Sequence, residues 1–195
     1  MELAVRTIEL FAFITGIIYI ILEIRQKNMM WVIGILTGLA CSFSFAVQHL
    51  YASMGLNIYY VFVSIWGLVQ WRRDKGALAG EGETVIHLNR LSLKTALVSL
   101  AIFLLGSACL VFILRLAGGS ETSFDAVVAV MSAIGTWWLA RSYPQQWLVW
   151  IVADLLSTVL CLKTGMYWMA VLYLAYTASA VFGYYHWMRK GKVIC

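Results

Sequence analysis

The short apolar segment 147–154 combines three side chains suited to binding a flat, positively charged molecule. Trp147 and Trp150 carry indole rings, whose faces attract cations, and Asp154 carries a carboxylate. At spacings of three and four residues, all three lie on one face of a helix. A carboxylate near a bilayer centre costs about 2.5–3.5 kcal/mol, so such residues usually face the bundle interior and mark a substrate path. We therefore predict a substrate site here. The alternative is that Asp154 hydrogen-bonds neighbouring helices while the tryptophans pack or anchor.

Other polar and aromatic side chains recur at helical spacing. Asn57 and Tyr60 are three residues apart, as are Tyr173 and Tyr176. Gln48 lies at the end of another apolar segment, where a gate could lie. We predict that these five residues contact the substrate. For the tyrosines the alternative is a place in the aromatic belts at the membrane interfaces.

The composition indicates which elements position these residues. The chain has 195 residues, of which 63% are hydrophobic and 12% charged, and its mean hydropathy is +0.85. A soluble domain of this size could not expose so much apolar surface, so we predict a multi-pass membrane protein. The net charge of +5 would suggest a nucleic-acid partner in a soluble protein. Here the basic residues lie between apolar segments, so we expect none.

Seven apolar segments are close to the roughly 20 residues that a membrane-spanning helix needs. We therefore predict an all-α integral membrane protein in a single transmembrane domain, 1–195. The predicted spans are 7–22, 29–47, 55–71, 94–116, 122–140, 145–162 and 166–187. The long polar connection from Arg72 to Lys94 is interpreted as a loop.

The sequence repeats itself at an offset of 116 residues. The matched pairs are Trp31 with Trp147, Tyr51 with Tyr167, Tyr60 with Tyr176, Gly67 with Gly183, Trp71 with Trp187, and Arg73 with Arg189. We predict two three-helix repeats, 7–73 and 122–189, joined by a linker helix at 94–116. One intervening helix restores the original direction, so the repeats are parallel and related by an axis along the membrane normal.

The repeat breaks where the predicted site lies. Trp150 and Asp154 fall opposite Gly34 and Gly38. Bulk and charge in one half are thus expected to face free space in the other. The alternative is that the two glycines only let helices approach closely.

Lys and Arg are unevenly divided between the two sets of loops. Eleven of the fourteen follow spans one, three, five and seven. Because cytoplasmic loops are rich in Lys and Arg, we predict an outside N-terminus and a cytoplasmic C-terminus. The chain has no nucleophile elbow, paired-histidine, Cys-x-x-Cys or phosphate-loop motif. We therefore predict neither an enzyme nor a metal or other cofactor.

The chain resembles the PnuC family of bacterial vitamin transporters. The resemblance rests on Trp147-x-x-Trp150-x-x-x-Asp154, on the segment 55–60, and on two Gly-x-x-x-Trp helix ends, Gly67 to Trp71 and Gly183 to Trp187. It implies a three-plus-one-plus-three fold similar to the SWEET sugar transporters, often a homotrimer, in the bacterial inner membrane. It also implies facilitated diffusion, with the vitamin trapped by an intracellular kinase.

The resemblance leaves two substrates open. Family members that carry nicotinamide riboside often have Asn at the position of Asp154, whereas related PnuT members are associated with thiamine. The aminopyrimidine of thiamine can pair with a carboxylate, so this interpretation favours thiamine and keeps nicotinamide riboside as the alternative. In another class, the chain would be a substrate-binding subunit that needs an energising partner.

Overall fold

The structure is a computed structural model that describes residues 16–47, 51–77, 86–116, 123–163, 165 and 167–193. Within these ranges it contains seven helices. They are α1 (16–24), α2 (Met29–Val47), α3 (Tyr51–Ala77), α4 (Leu93–Leu116), α5 (Ser123–Ala140), α6 (Gln146–Lys163) and α7 (Tyr167–Lys190). The predicted spans two and four to seven agree with α2 and α4–α7 to within three residues at each end. The third helix is longer at both ends than the predicted span 55–71.

A small parallel sheet adds to the predicted all-helical architecture. Strand β1 (Ile86–Leu88) lies in the connection interpreted as a loop, and β2 (Gly191–Val193) follows α7 directly. Ile86 pairs with Gly191 and Leu88 with Val193. Both β1 apolar side chains are buried. Strands of three residues are too short to show an alternating pattern, which is why the sequence did not reveal them.

The chain divides into two compact units. The first, Met1–Gly76, contains α1–α3, and the second, Ala77–Cys195, contains α4–α7 and the sheet. In the second unit α4 packs on α5, α5 on α6, and α6 on α7. The first boundary falls close to the predicted end of repeat one at residue 73. The prediction of a single domain over 1–195 stays a prediction.

Each unit contains the same turn, 116 residues apart. Gln26, between α1 and α2, has φ of 49°, and Ser142, between α5 and α6, has φ of 56°. The amide of Gln26 donates to the carbonyl of Glu23 at 2.9 Å, and the amide of Ser142 donates to that of Leu139 at 2.9 Å. The carbonyl of the turn residue is satisfied differently, because Lys75 Nζ donates to Gln26 and the Asn89 amide to Ser142.

Each unit also contains the same tryptophan packing. Trp31 is fully buried against Trp71, with ring centroids 5.1 Å apart, and Trp147 is buried against Trp187 at 5.6 Å. Each first ring also lies on a glycine of the helix that carries its partner. A Cβ atom would come within 2.6 Å of Trp31 at Gly67 and within 2.7 Å of Trp147 at Gly183. These contacts explain why the Gly-x-x-x-Trp ending recurs.

Among the residues that the structure describes, two helices, α4 and α6, are long and apolar enough to cross a membrane by length and composition, with mean hydropathies of 2.8 and 1.5. The first of them leaves most of its large apolar side chains exposed. They include Leu97, Leu100, Leu104, Leu105, Phe112 and Leu116. A helix with such a surface is stable in hydrocarbon and would be poorly solvated in water.

Candidate substrate-binding site

Trp147 lies inside the second unit rather than at an open surface. Its side chain is 2% exposed and is held between Trp187 and Gly183. The same contacts surround Trp31, which the sequence analysis did not assign to the site. This placement favours a packing role for Trp147 over the predicted contact with substrate.

Trp150 occupies a different environment on α6. Its side chain is half-buried and lies against α5, where a Cβ atom at Gly135 would be 3.3 Å from Cε2 of the indole. Its indole nitrogen is buried and, within the described ranges, donates no hydrogen bond. Trp150 therefore provides an aromatic ring that packs against α5, and its N–H group has no hydrogen-bond partner among the described residues.

Asp154 lies one turn further along α6 and is also half-buried. Thr158 Oγ1 donates to its main-chain carbonyl at 2.8 Å. In the part of the chain that the structure describes, the carboxylate accepts no hydrogen bond. It is thus placed to accept hydrogen bonds from a ligand, which is the role that the sequence predicts for it.

Two tyrosines of α7 complete a cluster around Asp154. The hydroxyls of Tyr173 and Tyr176 both lie within electrostatic range of the carboxylate. Their rings meet edge to face with centroids 6.1 Å apart. The structure therefore brings three of the predicted site residues together in the second unit, one turn from Trp150.

The remaining predicted residues belong to the first unit. Asn57 and Tyr60 are half-buried on α3, and Tyr60 lies within electrostatic range of Tyr19 on α1. The backbone of Asn57 lies against Gly38, where a Cβ atom would be 3.4 Å from the Asn57 carbonyl. The predicted gate residue Gln48 lies outside the described residues.

Sequence reasoning missed two polar residues of α1. Tyr19 and Glu23 are four residues apart and interact electrostatically, and the Glu23 side chain is buried. The signal was the i, i+4 spacing, which places both side chains on one helix face.

Gly34 and Gly38 do not face free space within their unit. A Cβ atom at Gly34 would be 2.9 Å from Ser64 Oγ, and one at Gly38 would be 2.7 Å from Val61 Cγ2. Close approach of α2 and α3 therefore accounts for both glycines. The expectation that bulk and charge in one half face free space in the other stays a prediction.

Large and small residues are exchanged between the two units. In the first, the ring of Tyr19 on α1 lies 3.9 Å from a Cβ position at Gly34 on α2. In the second, Trp150 on α6 lies against Gly135 on α5. These are equivalent positions at the 116-residue offset, so each unit has one aromatic ring at this contact but carries it on the opposite helix.

Within the described ranges, no three His, Cys, Asp or Glu side chains lie close enough to hold a metal ion. The cluster instead combines an aromatic face, a carboxylate and phenol hydroxyls. Such groups bind an organic molecule that is flat, cationic or rich in hydrogen-bond donors.

Known proteins resemble this chain over most of its length. The nicotinamide riboside transporter PnuC of Haemophilus influenzae is 26% identical over 188 residues, covering 92% of this chain and 78% of that protein. The riboflavin/roseoflavin transporter RibM of Streptomyces davaonensis is 24% identical over 181 residues, covering 92% and 83%. The crystal structure of the vitamin B3 transporter PnuC aligns with a TM-score of 0.65 at 24% identity, covering 91% of this chain and 79% of that one. This last likeness is one of fold.

The family model described as nicotinamide mononucleotide transporter matches residues 6–189, nearly the entire chain. The resemblance inferred from the sequence motifs is thereby confirmed, and membership implies a multi-pass protein of the inner membrane. The relatives named above are transporters, which is consistent with the prediction that the chain is not an enzyme. The chain belongs to the nicotinamide mononucleotide transporter family.

Proposed function

We propose that this chain transports nicotinamide riboside across the cytoplasmic membrane. The observation that carries the proposal is the family match over residues 6–189, together with relatives in Haemophilus influenzae and Escherichia coli named as transporters of that vitamin. The sequence interpretation favoured thiamine. The comparisons support the alternative that it kept open.

The chemistry of the cluster suits this substrate. Nicotinamide riboside contains a flat pyridinium cation, which can stack on the indole of Trp150. Its carboxamide and ribose hydroxyls are hydrogen-bond donors, and an ionised carboxylate such as that of Asp154 only accepts. Tyr173 and Tyr176 can donate to or accept from the same hydroxyls. Asn57 and Tyr60, at the equivalent positions of the first unit, are assigned as further substrate contacts.

Thiamine is the second candidate, because the Asp154 carboxylate accepts no hydrogen bond within the described ranges. The aminopyrimidine amino group would be a suitable donor, and thiamine also carries a positive charge. A neutral amide at position 154 would serve nicotinamide riboside as well as a carboxylate does. Thiamine gains more from an acid there, because its amino group can donate directly to the carboxylate.

The transport architecture is proposed from the internal repeat. Helices α1–α3 and α5–α7 form two parallel repeats joined by α4, with the N-terminus outside and the C-terminus in the cytoplasm. The matched turns at Gln26 and Ser142 and the matched tryptophan contacts support the repeat. The distribution of Lys and Arg supports the orientation. By family resemblance the assembly is a homotrimer.

Transport is proposed to be passive, with accumulation only where an intracellular kinase phosphorylates the vitamin. No residue pattern for coupling to a proton or sodium gradient was recognised in the sequence. The rival possibility, a binding subunit that needs an energising partner, predicts no uptake by the isolated chain.

Purified protein in liposomes tests these proposals together. Labelled nicotinamide riboside should enter until its concentrations inside and outside are equal, and unlabelled thiamine and riboflavin should compete less well. Empty liposomes are the control. Stronger uptake of thiamine would transfer the proposal to the second candidate. Absence of uptake in spite of measurable binding would favour the partner-dependent subunit, and accumulation driven by an ion gradient would refute passive transport.

A further inference from the structure

A groove of about 320 Å³ runs along the second unit between α4 and α5. Its walls are formed mainly by Leu100 and Phe103 of α4 and by Met131 and Ile134 of α5, with Val149 of α6 also contributing. Its two polar groups satisfy each other, because Trp138 Nε1 donates to Ser99 Oγ at 3.0 Å. The rest of the lining is apolar, which suits a hydrocarbon chain.

One end of the groove is basic. The Ser99–Trp138 hydrogen bond and the contact of Gly106 with Val130 fix an antiparallel register, which places Arg141 level with Ala96. Asn89 Nδ2 donates to the Arg141 carbonyl at 2.9 Å and holds the start of α4 against this end. The side chain of Arg141 is exposed at this level, and its guanidinium carbon lies 5.7 Å from the Trp137 ring centroid.

We infer that this groove binds an anionic phospholipid, with one acyl chain between α4 and α5 and the phosphate at Arg141. From the level of Ala96 to that of Phe103 the groove is about 10 Å long, at 1.5 Å per helical residue. Basic pockets at the ends of spanning helices attract anionic head groups. A cationic side chain at the membrane boundary and an apolar groove below it match the two halves of such a lipid.

Two consecutive residues of α6 connect this groove with the cluster around Asp154. Val149 contributes to the groove, and the next residue, Trp150, is the aromatic residue of the cluster. Both side chains contact the same glycine on α5, since a Cβ atom at Gly135 would be 3.4 Å from Val149 and 3.3 Å from Trp150. A bound acyl chain would therefore support the α5–α6 contact from behind.

Photocrosslinking tests the inference without reference to the transported vitamin. The protein is placed in phosphatidylcholine vesicles that contain a trace of either phosphatidylglycerol or phosphatidylcholine with the same photoreactive acyl chain. Crosslinks are mapped by mass spectrometry. We expect phosphatidylglycerol to label α4 and α5 near Phe103 and Ile134 more strongly. Arg141→Gln should lower this preference about fivefold, and Arg141→Lys should preserve it.

Arg189→Gln, at the exposed end of α7, is the matched charge control and should change nothing. Ile134→Trp should block labelling by both lipids, and Leu100→Trp replaces it if that variant does not fold. Equal losses from the two arginine variants would refute a specific head-group site. If the tryptophan variant were labelled as strongly as the wild type, the proposed position of the acyl chain would be refuted. If neither lipid labelled the groove and Ile134→Trp dissociated the oligomer, a second copy of the chain would cover the groove. That result would also overturn the inference.

Discussion

Replacing Gly183 by alanine tests the tryptophan packing that both units share. The added Cβ would lie 2.7 Å from Cζ2 and Cη2 of Trp147, closer than real Cβ atoms come. The indole cannot move away easily, because it is 2% exposed and its other side contacts Trp187. The backbone of α6 or α7 must therefore shift.

The expected magnitude combines two opposing terms. Overpacking a filled site costs about 1–3 kcal/mol. Alanine in place of glycine within a helix contributes about 0.5–1 kcal/mol in the other direction. Gly55→Ala experiences only the second term, because nothing lies within 4 Å of a Cβ atom there. The two variants should thus differ by the overpacking cost, or about 2–12 °C in melting temperature for a chain of this length.

Melting temperature of the purified protein in detergent is the measurement. Gly183→Ala should melt below the wild type and Gly55→Ala at or above it. Gly67→Ala, which would meet Trp31 at 2.6 Å, should behave like Gly183→Ala. Combining Gly183→Ala with Trp147→Phe should cost less than the sum of the two single changes, since they share one contact. If Gly183→Ala and Gly55→Ala melted alike, the inferred packing would be incorrect.

Three further changes bear on the site and the orientation. Asp154→Asn should lower affinity for thiamine roughly tenfold or more in calorimetry, because a charge-assisted hydrogen bond is worth about 1.5–3 kcal/mol. It should leave the melting temperature nearly unchanged, and unaltered affinity would remove Asp154 from the site. Trp150→Ala should weaken nicotinamide riboside and thiamine alike, because stacking depends on the flat cation that both carry; loss of only one would contradict this. A variant with Cys195 as its single cysteine should react with a membrane-impermeant thiol reagent only after lysis, and labelling of intact cells would reverse the orientation.

The helices could be predicted closely from the sequence because hydropathy marks where the chain is apolar over a span. The prediction was less complete where a tertiary contact decides the structure. Strand β1 exists because Ile86–Leu88 pairs with Gly191–Val193, more than a hundred residues away. No local pattern in Ile86–Leu88 anticipates that partner.

The candidate site shows the same division. Helical spacing predicts that Tyr173 and Tyr176 share one face of α7, but it does not predict that α6 packs on α7 and brings Asp154 near them. It could not separate Trp147 from Trp150. Both indoles lie against neighbouring helices. Trp147 contacts Trp187 on α7 and Trp150 contacts Gly135 on α5, and this difference depends on tertiary packing.

The exchange of large and small residues between α1–α2 and α5–α6 limits how either arrangement can change into the other. Converting Tyr19 with Gly34 into the pattern of Gly135 with Trp150 requires two substitutions. The intermediate has either two aromatic residues or two glycines. Two rings would compete for one space, since a Cβ atom alone at Gly135 already lies 3.3 Å from Trp150. Two glycines leave a cavity, which a helix pair tolerates at a cost in stability. The substitution that removes the ring must therefore come first. Each unit keeps its aromatic ring on its own helix unless it passes through an intermediate with a cavity at this contact.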